Sequence, residues 1–111
     1  MSAIADVRKS LSDVLFATAS GTITTDIVAA VAGRKIRVLS AVISQASATS
    51  VKFQSNATTD LTGAFTTDAA NLNIQLPYNP FGWFQTAAGE KLNYVPATAV
   101  ATHVTITYIL I

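Results

Sequence analysis

Cysteine is absent from this 111-residue chain, and histidine and glutamate occur once each, as His103 and Glu90. Without cysteine the chain can form neither a disulfide nor a thiolate metal site. Any Ser-His-Asp mechanism would have to use His103, yet no motif beside it marks an orienting carboxylate or an oxyanion hole. We therefore expect no catalytic residue, no metal site and no bound cofactor, with His103 a histidine on the face of a sheet.

Charged residues are also scarce. They make up 12% of the chain, against about 25% in an average soluble protein. The net charge of +1 creates no field that would attract nucleic acid or an anionic membrane. The densest basic cluster, Arg34, Lys35 and Arg37, is not interleaved with aromatic residues, as a single-strand binding groove would be. We expect no direct contact with nucleic acid.

Long apolar runs are missing as well. No stretch of 18 consecutive apolar residues is present, and residues 1–9 lack the apolar run of a signal peptide. We expect synthesis in the cytoplasm and no membrane contact. Yet half of the residues are apolar, and so few charges leave much of the surface to Ala, Thr, Ser and apolar side chains. Such a surface would be adhesive on a lone monomer, so we expect part of it to be buried against copies of the chain or a partner.

The pattern from Ala17 onward consists of short runs of Thr, Ile, Val and Ala separated by turn residues, which is typical of antiparallel β structure. Residues 36–45 have few polar side chains on either face and predict a central strand. In residues 51–55, apolar and polar side chains alternate. Eight or so strands at spacings near ten residues indicate an all-β protein, an antiparallel β-sandwich of the jelly-roll type, over residues 18–111.

Residues 1–17 follow a different pattern. Ile4, Val7 and Leu11 recur at helical spacing, with charged residues between them. A short amphipathic helix fits this spacing, and so does an arm that becomes ordered only on a neighbouring subunit. In the second case Ile4, Val7 and Leu11 would contact that neighbour, so we include them among the candidate interface residues.

Residues 78–94 contain the main aromatic cluster of the chain. Pro80 and Gly82 predict a turn in which Gly82 takes a positive φ or approaches another backbone closely. Aromatic rings bury about 150–250 Å² each, so this segment should secure either the core or an interface. Side chains alternate in a strand, so we expect one of two neighbouring rings to leave the core. The candidate interface residues in this segment are Tyr78, Phe81, Trp83, Phe84 and Tyr94; a sugar-binding platform is the alternative use of the rings.

Five segments together resemble a group of small virion proteins of tailed bacteriophages. They read GRKIRVL, VKFQS, DLTG, NPFGWF and TAAGEKL, at residues 33–39, 51–55, 60–63, 79–84 and 86–92. The resemblance extends from Gly33 to the end, is most specific in the aromatic segment, and leaves out the first 25 residues.

Members of this group resemble capsid decoration (cement) proteins, jelly-roll domains that form trimers on the outer capsid surface and bridge neighbouring major capsid proteins. The resemblance implies a homotrimer, a phage major capsid protein as partner, and a place on the outside of the virion. Head fibres and receptor-binding or carbohydrate-binding modules use similar sandwiches, so a head-fibre role is the alternative.

Overall fold

The computed structural model describes residues 14–68 and 73–111, which form strands and no helix. The antiparallel β-sandwich predicted from the sequence is confirmed. In this part of the chain, no helix is long and apolar enough to cross a bilayer. The strands in chain order are β1 (Leu15–Gly21), β2 (Thr25–Val28), β3 (Ile36–Gln45), β4 (Thr49–Ser55), β5 (Thr59–Asp60), β6 (Phe65–Thr67), β7 (Asn73–Leu76), β8 (Phe84–Gln85), β9 (Leu92–Pro96) and β10 (Thr102–Leu110).

The strands form two sheets that pack face to face. Sheet A has the order β1-β10-β3-β7, with β8 also paired to β3, and sheet B has the order β2-β9-β4-β5, with β6 also paired to β4. The predicted central strand is confirmed, because β3 pairs with β10 on one side and with both β7 and β8 on the other. Sandwich architecture is thereby established, while the jelly-roll type stays a prediction.

The core lies between the sheets and is built by alternation along the strands. In β4, Val51 and Phe53 are buried, whereas Lys52 and Gln54 point outward, as their sequence pattern predicts. Sheet A supplies the facing layer. The buried apolar cluster comprises Val28, Ile36, Val38, Ala41, Ile43, Val51, Phe53, Leu92, Tyr94, Val104 and Ile106.

A bulge interrupts the alternation of β3. Ser40 pairs with Thr107 and Val38 pairs with Tyr108, so Leu39 is an additional residue without a partner on β10. The inward positions are therefore even-numbered before the bulge and odd-numbered after it. This explains why the strand is apolar on both of its apparent faces: one face of the strand is buried throughout, but the sequence positions that form it change parity at Leu39.

Some boundaries differ from those predicted. β5 and β6 are two separate short strands, with Gly63 in the connection between them. β1 begins at Leu15, before the boundary at residue 18 predicted for the sandwich, so residues 15–17 belong to sheet A. The predicted helix or arm, including Ile4, Val7 and Leu11, lies outside the described residues.

Candidate functional site

Residues 77–83, which we call the aromatic turn, connect β7 to β8. Gly82 N donates to Asn79 O at 2.9 Å, which closes a tight turn with Pro80 at its second position. The Asn79 side chain reinforces it, because its Oδ1 accepts from Phe81 N at 2.9 Å. Gly82 has a φ of 84°, as the sequence predicted, and this conformation is costly for any residue with a Cβ.

The aromatic turn is held against the middle of β3. Asn79 N donates to Leu39 O at 2.9 Å, and Trp83 N donates to Val38 O at 2.8 Å. A Cβ on Gly82 would lie 2.5 Å from Arg37 Cγ, so only glycine allows the turn to rest on the arginine side chain. Backbone bonds to a central strand make the turn a rigid support for its side chains.

Three rings of the aromatic turn are exposed. Phe81 is 86% exposed, Tyr78 54% and Trp83 44%. Phe84 points the other way: it is half-buried and stacks on Phe53 with ring centroids 4.8 Å apart. Trp83 and Phe84 thus lie on opposite faces, as predicted. The three exposed rings all belong to the aromatic turn, and Phe81 and Trp83 line one depression.

Tyr94 lies in the core and not at the surface. It was predicted as an interface residue, but it is fully buried in the core, where its hydroxyl donates to Thr102 O at 3.0 Å. Its position in β9 directs the ring inward, opposite Phe53 on β4. Tyr94 therefore stabilises the packing of the two sheets and presents no surface to a partner.

Polar groups around the exposed rings are mostly paired within the chain. Trp83 Nε1 donates to Pro77 O at 2.7 Å, and Asn79 Oδ1 is occupied within the turn. Arg37 lines the same shallow depression of about 230 Å³ as Phe81 and Trp83, and its Nε donates to Gln85 Oε1 at 3.0 Å. The aromatic turn consequently offers ring surface together with the Tyr78 hydroxyl, and the remaining guanidinium donors of Arg37 lie beside Phe81 and Trp83.

The outer face of sheet A, on the side away from the core, is nearly free of charge. Its residues lie in register across β1, β10, β3, β7 and β8. Phe16 and Val42, 76% and 47% exposed, are its prominent apolar residues. Arg37 at one end is its charged residue. The rows are Ser20, His103, Ser44 and Asn73; Thr18, Thr105, Val42 and Gln75; Phe16, Thr107 and Ser40; and Ile109, Arg37 and Gln85.

The outer face of sheet B is different, because charged and amide side chains pair across it. Lys52 Nζ lies 2.9 Å from Asp60 Oδ2. Gln54 Nε2 donates to Asp60 Oδ1 at 2.9 Å, and Asn93 Nδ2 donates to Gln54 Oε1 at 3.2 Å. Two hydrogen bonds lower the pKa of Asp60 below its usual value of 3.8; the bond from Gln54 has the larger effect and the bond from Lys52 the smaller. This face satisfies its own polar groups.

The residues considered for catalysis are not brought together. His103 is exposed on the outer face of sheet A between Ser20 and Ser44, and its predicted place on the face of a sheet is confirmed. Glu90 lies in a turn, where it accepts from Ser55 Oγ at 2.5 Å. Within residues 14–68 and 73–111, no group of three His, Cys, Asp or Glu side chains could hold a metal ion.

Comparisons with known proteins give no family for this chain. No family model matches it, and no curated protein matches it. Among solved structures, it is similar to the capsular polysaccharide assembling protein CapF from Staphylococcus aureus, with 9% identity and a TM-score of 0.35 over 85% of this chain and 23% of CapF. It is also similar to a virus-like particle protein of the extra small virus of the prawn Macrobrachium rosenbergii, with 11% identity and a TM-score of 0.34 over 87% of this chain and 79% of that one. The chain thus spans under a quarter of CapF, and likenesses at these scores carry no functional argument.

Proposed function

We propose that this chain is a structural virion protein of the capsid decoration type. It associates as a homotrimer on the outer capsid surface and clamps neighbouring major capsid proteins of a phage. The observation that carries the proposal is the aromatic turn, which exposes Tyr78, Phe81 and Trp83 on a support bonded to the central strand β3. Exposed aromatic clusters of this kind are typical of the centres of protein interfaces.

The strand order supports the jelly-roll part of the resemblance. The first strand pairs with the last, as β1 with β10, and the second pairs with the second last, as β2 with β9. The next strands inward, β3 and β4, lie beside β10 and β9 in the two sheets. This nested pairing supports the proposal of a double-sheet jelly roll, in which strands from the two ends of the chain lie beside each other.

The mechanism is stabilisation by binding alone. A ligand that binds the assembled shell and not its disrupted form stabilises the shell by RT ln(1 + [L]/Kd), about 2.7 kcal/mol for each site at a hundredfold excess over Kd. A trimer presents three copies of the aromatic turn, so after the first contact the others bind at a high effective concentration. No residue has to react, and we propose that the chain is not an enzyme.

The test uses purified protein and expanded, undecorated capsids of the phage that encodes it. We expect a trimer by light scattering at micromolar concentration and saturable binding to the capsids. Phe81→Ala and Trp83→Ala should each weaken binding by roughly thirtyfold or more, as expected for a hot-spot residue that contributes about 2 kcal/mol. Ile23→Ala is the control, because Ile23 is 70% exposed but lies in the β1–β2 connection.

Two results would overturn the proposal. One is wild-type protein that does not bind the capsids. The other is capsid binding that is equally strong with and without the rings of Phe81 and Trp83. A stable monomer that still binds would remove only the homotrimer from the proposal.

A head-fibre or carbohydrate-binding domain is the second candidate, favoured by the exposure of Tyr78 and Trp83. Against it, Trp83 Nε1 and Asn79 Oδ1 beside these rings are paired within the chain, which leaves few polar groups there for the several donors and acceptors that a sugar site needs beside its aromatic platform. Trp83 is the single tryptophan. Quenching or shift of its fluorescence by a host polysaccharide, lost in Tyr78→Ala, would support this function; no change across a polysaccharide panel would count against it.

A further inference from the structure

We infer that the outer face of sheet A is the surface through which one copy of this chain contacts the next. The aromatic turn then remains available for the capsid protein. This inference rests on the self-association in the proposed function and adds to it the surface that is used.

The contrast in charge between the two outer faces is the first argument. The outer face of sheet B carries the Lys52–Asp60 and Lys91–Asp26 ion pairs, both partly exposed, with nitrogen–oxygen distances of 2.9 and 3.0 Å. Covering them would require removing both pairs from water, and this desolvation can cost more than the attraction within the pairs returns. Among the described residues, the outer face of sheet A carries one permanently charged side chain, Arg37, at one end. Covering its other rows, which hold His103 and uncharged side chains, removes no ion pair from water.

Unused hydrogen-bonding capacity is the second argument. Of the hydroxyls on the outer face of sheet A, those of Ser40 and Thr107 are paired to each other at 2.6 Å. The hydroxyls of Thr18, Thr105 and Ser44, in the adjoining rows, have no partner within the described residues. A hydroxyl both donates and accepts. A surface of hydroxyls can therefore pair with a second uncharged surface of the same chain without any complementary charge.

The size and shape of the face favour a folded surface over a peptide. The face is four strands wide, with about 4.8 Å between strands, and its rows extend along β10 from His103 to Ile109 at about 3.3 Å per residue. Its flat area is therefore roughly 400 Å², without the additional surface of the side chains. This is about half of the roughly 800 Å² that each partner contributes to a standard interface, so the face supplies the centre of the contact and the residues around it must supply the rest. A single extended peptide would cover only one or two strands. Phe16 and Val42, exposed on β1 and β3, supply apolar contacts at two places on the face.

The experiment places a charge at the centre of the face. Val42 and Thr105 are register partners on β3 and β10, and Val42→Lys and Thr105→Lys are each compared with Thr66→Lys. Thr66 is exposed on the outer face of sheet B, so this control makes the same change in net charge. Light scattering over a dilution series measures association, and far-UV circular dichroism with a urea midpoint establishes folding. Ser44→Lys, one row away, replaces a variant that does not fold.

We expect the protein concentration at half-dissociation to rise about tenfold or more in the sheet A variants, because a lysine there is buried without a partner, and to stay unchanged in Thr66→Lys. Folded Lys variants that associate like wild type would overturn the inference and leave the proposed function intact. Variants that remain trimeric but lose capsid binding would assign the face to the capsid protein, which also overturns it. A monomeric wild type would overturn the inference, with capsid binding deciding separately on the rest of the proposed function.

Discussion

Truncation of Phe84 should lower the stability of the fold without weakening the binding of the aromatic turn to capsids. Phe84 is half-buried and lies 4.8 Å, centroid to centroid, from Phe53, which is fully buried. Fully buried Phe→Ala substitutions cost about 3–5 kcal/mol. Because Phe84 keeps part of its surface in water, we expect Phe84→Ala to lower the free energy of unfolding by about 2–3 kcal/mol. The interaction with the Phe53 ring accounts for about 0.5–1.5 kcal/mol of this loss.

The measurement is urea unfolding followed in parallel by tryptophan fluorescence and far-UV circular dichroism. Trp83 is the single tryptophan and adjoins Phe84, so its fluorescence reports on the aromatic turn while circular dichroism reports on the sheets. In a separate thermal unfolding experiment, the midpoint of Phe84→Ala should fall by roughly 10 °C relative to wild type. Phe81→Ala is the matched control: Phe81 is 86% exposed, and its stability should change by less than about 0.5 kcal/mol.

If Phe84→Ala lowers the free energy of unfolding by less than about 1 kcal/mol, the reasoning is refuted, because the stacking of Phe84 on Phe53 would then contribute little to stability. Equal losses in the two variants would refute it as well, because they would show that the exposed and the half-buried ring are not energetically distinct. With the expected result, Phe84→Ala protein that is still folded should bind capsids, whereas Phe81→Ala should bind weakly.

Two further predictions concern the glycine of the aromatic turn and the acid dependence of sheet B. Gly82→Ala should lower the free energy of urea unfolding by about 2–3 kcal/mol, because it adds a clash with Arg37 to the strain of a left-handed residue. Gly33 has a φ of 70° and no atom near the position of a Cβ, so Gly33→Ala should cost only the strain, about 1 kcal/mol. Equal costs would show that the contact with Arg37 is unimportant. Gln54 and Lys52 lower the pKa of Asp60, so its contribution to stability is present above about pH 4 and is lost as the pH falls through the lower folded pKa. The difference in thermal midpoint between wild type and Asp60→Asn should therefore be largest near pH 7 and should disappear by about pH 2. A difference that does not change with pH would contradict this.

Local sequence patterns predicted much of the fold. The alternation in residues 51–55 fixed which side chains of β4 face the core, because neighbouring side chains in a strand point to opposite sides. Pro80 and Gly82 predicted the turn, and its positive φ, from their own conformational limits. The opposite directions of Trp83 and Phe84 followed from the same alternation.

The sequence could not predict features that depend on pairing between distant strands. The bulge at Leu39 is visible only in the register of β3 against β10, and it changes the parity of the buried positions. The burial of Tyr94 depends on β9 lying beside β4, which placed a predicted interface residue in the core. The outer face of sheet A was missed for the same reason: its rows join residues from strands far apart in the chain. Their one shared signal in the sequence was the abundance of Thr and Ser.

By itself, the sequence determined an all-β chain, the absence of cysteine chemistry, the scarcity of charge and the turn that carries the aromatic rings. These properties depend on composition and on neighbouring residues, which the chain specifies directly. Only the tertiary structure decided that the ion pairs gather on the outer face of sheet B, while the outer face of sheet A is left with hydroxyls, Phe16 and Val42. Strand order and register decide which distant residues share a surface, and they are set by the packing of the whole chain.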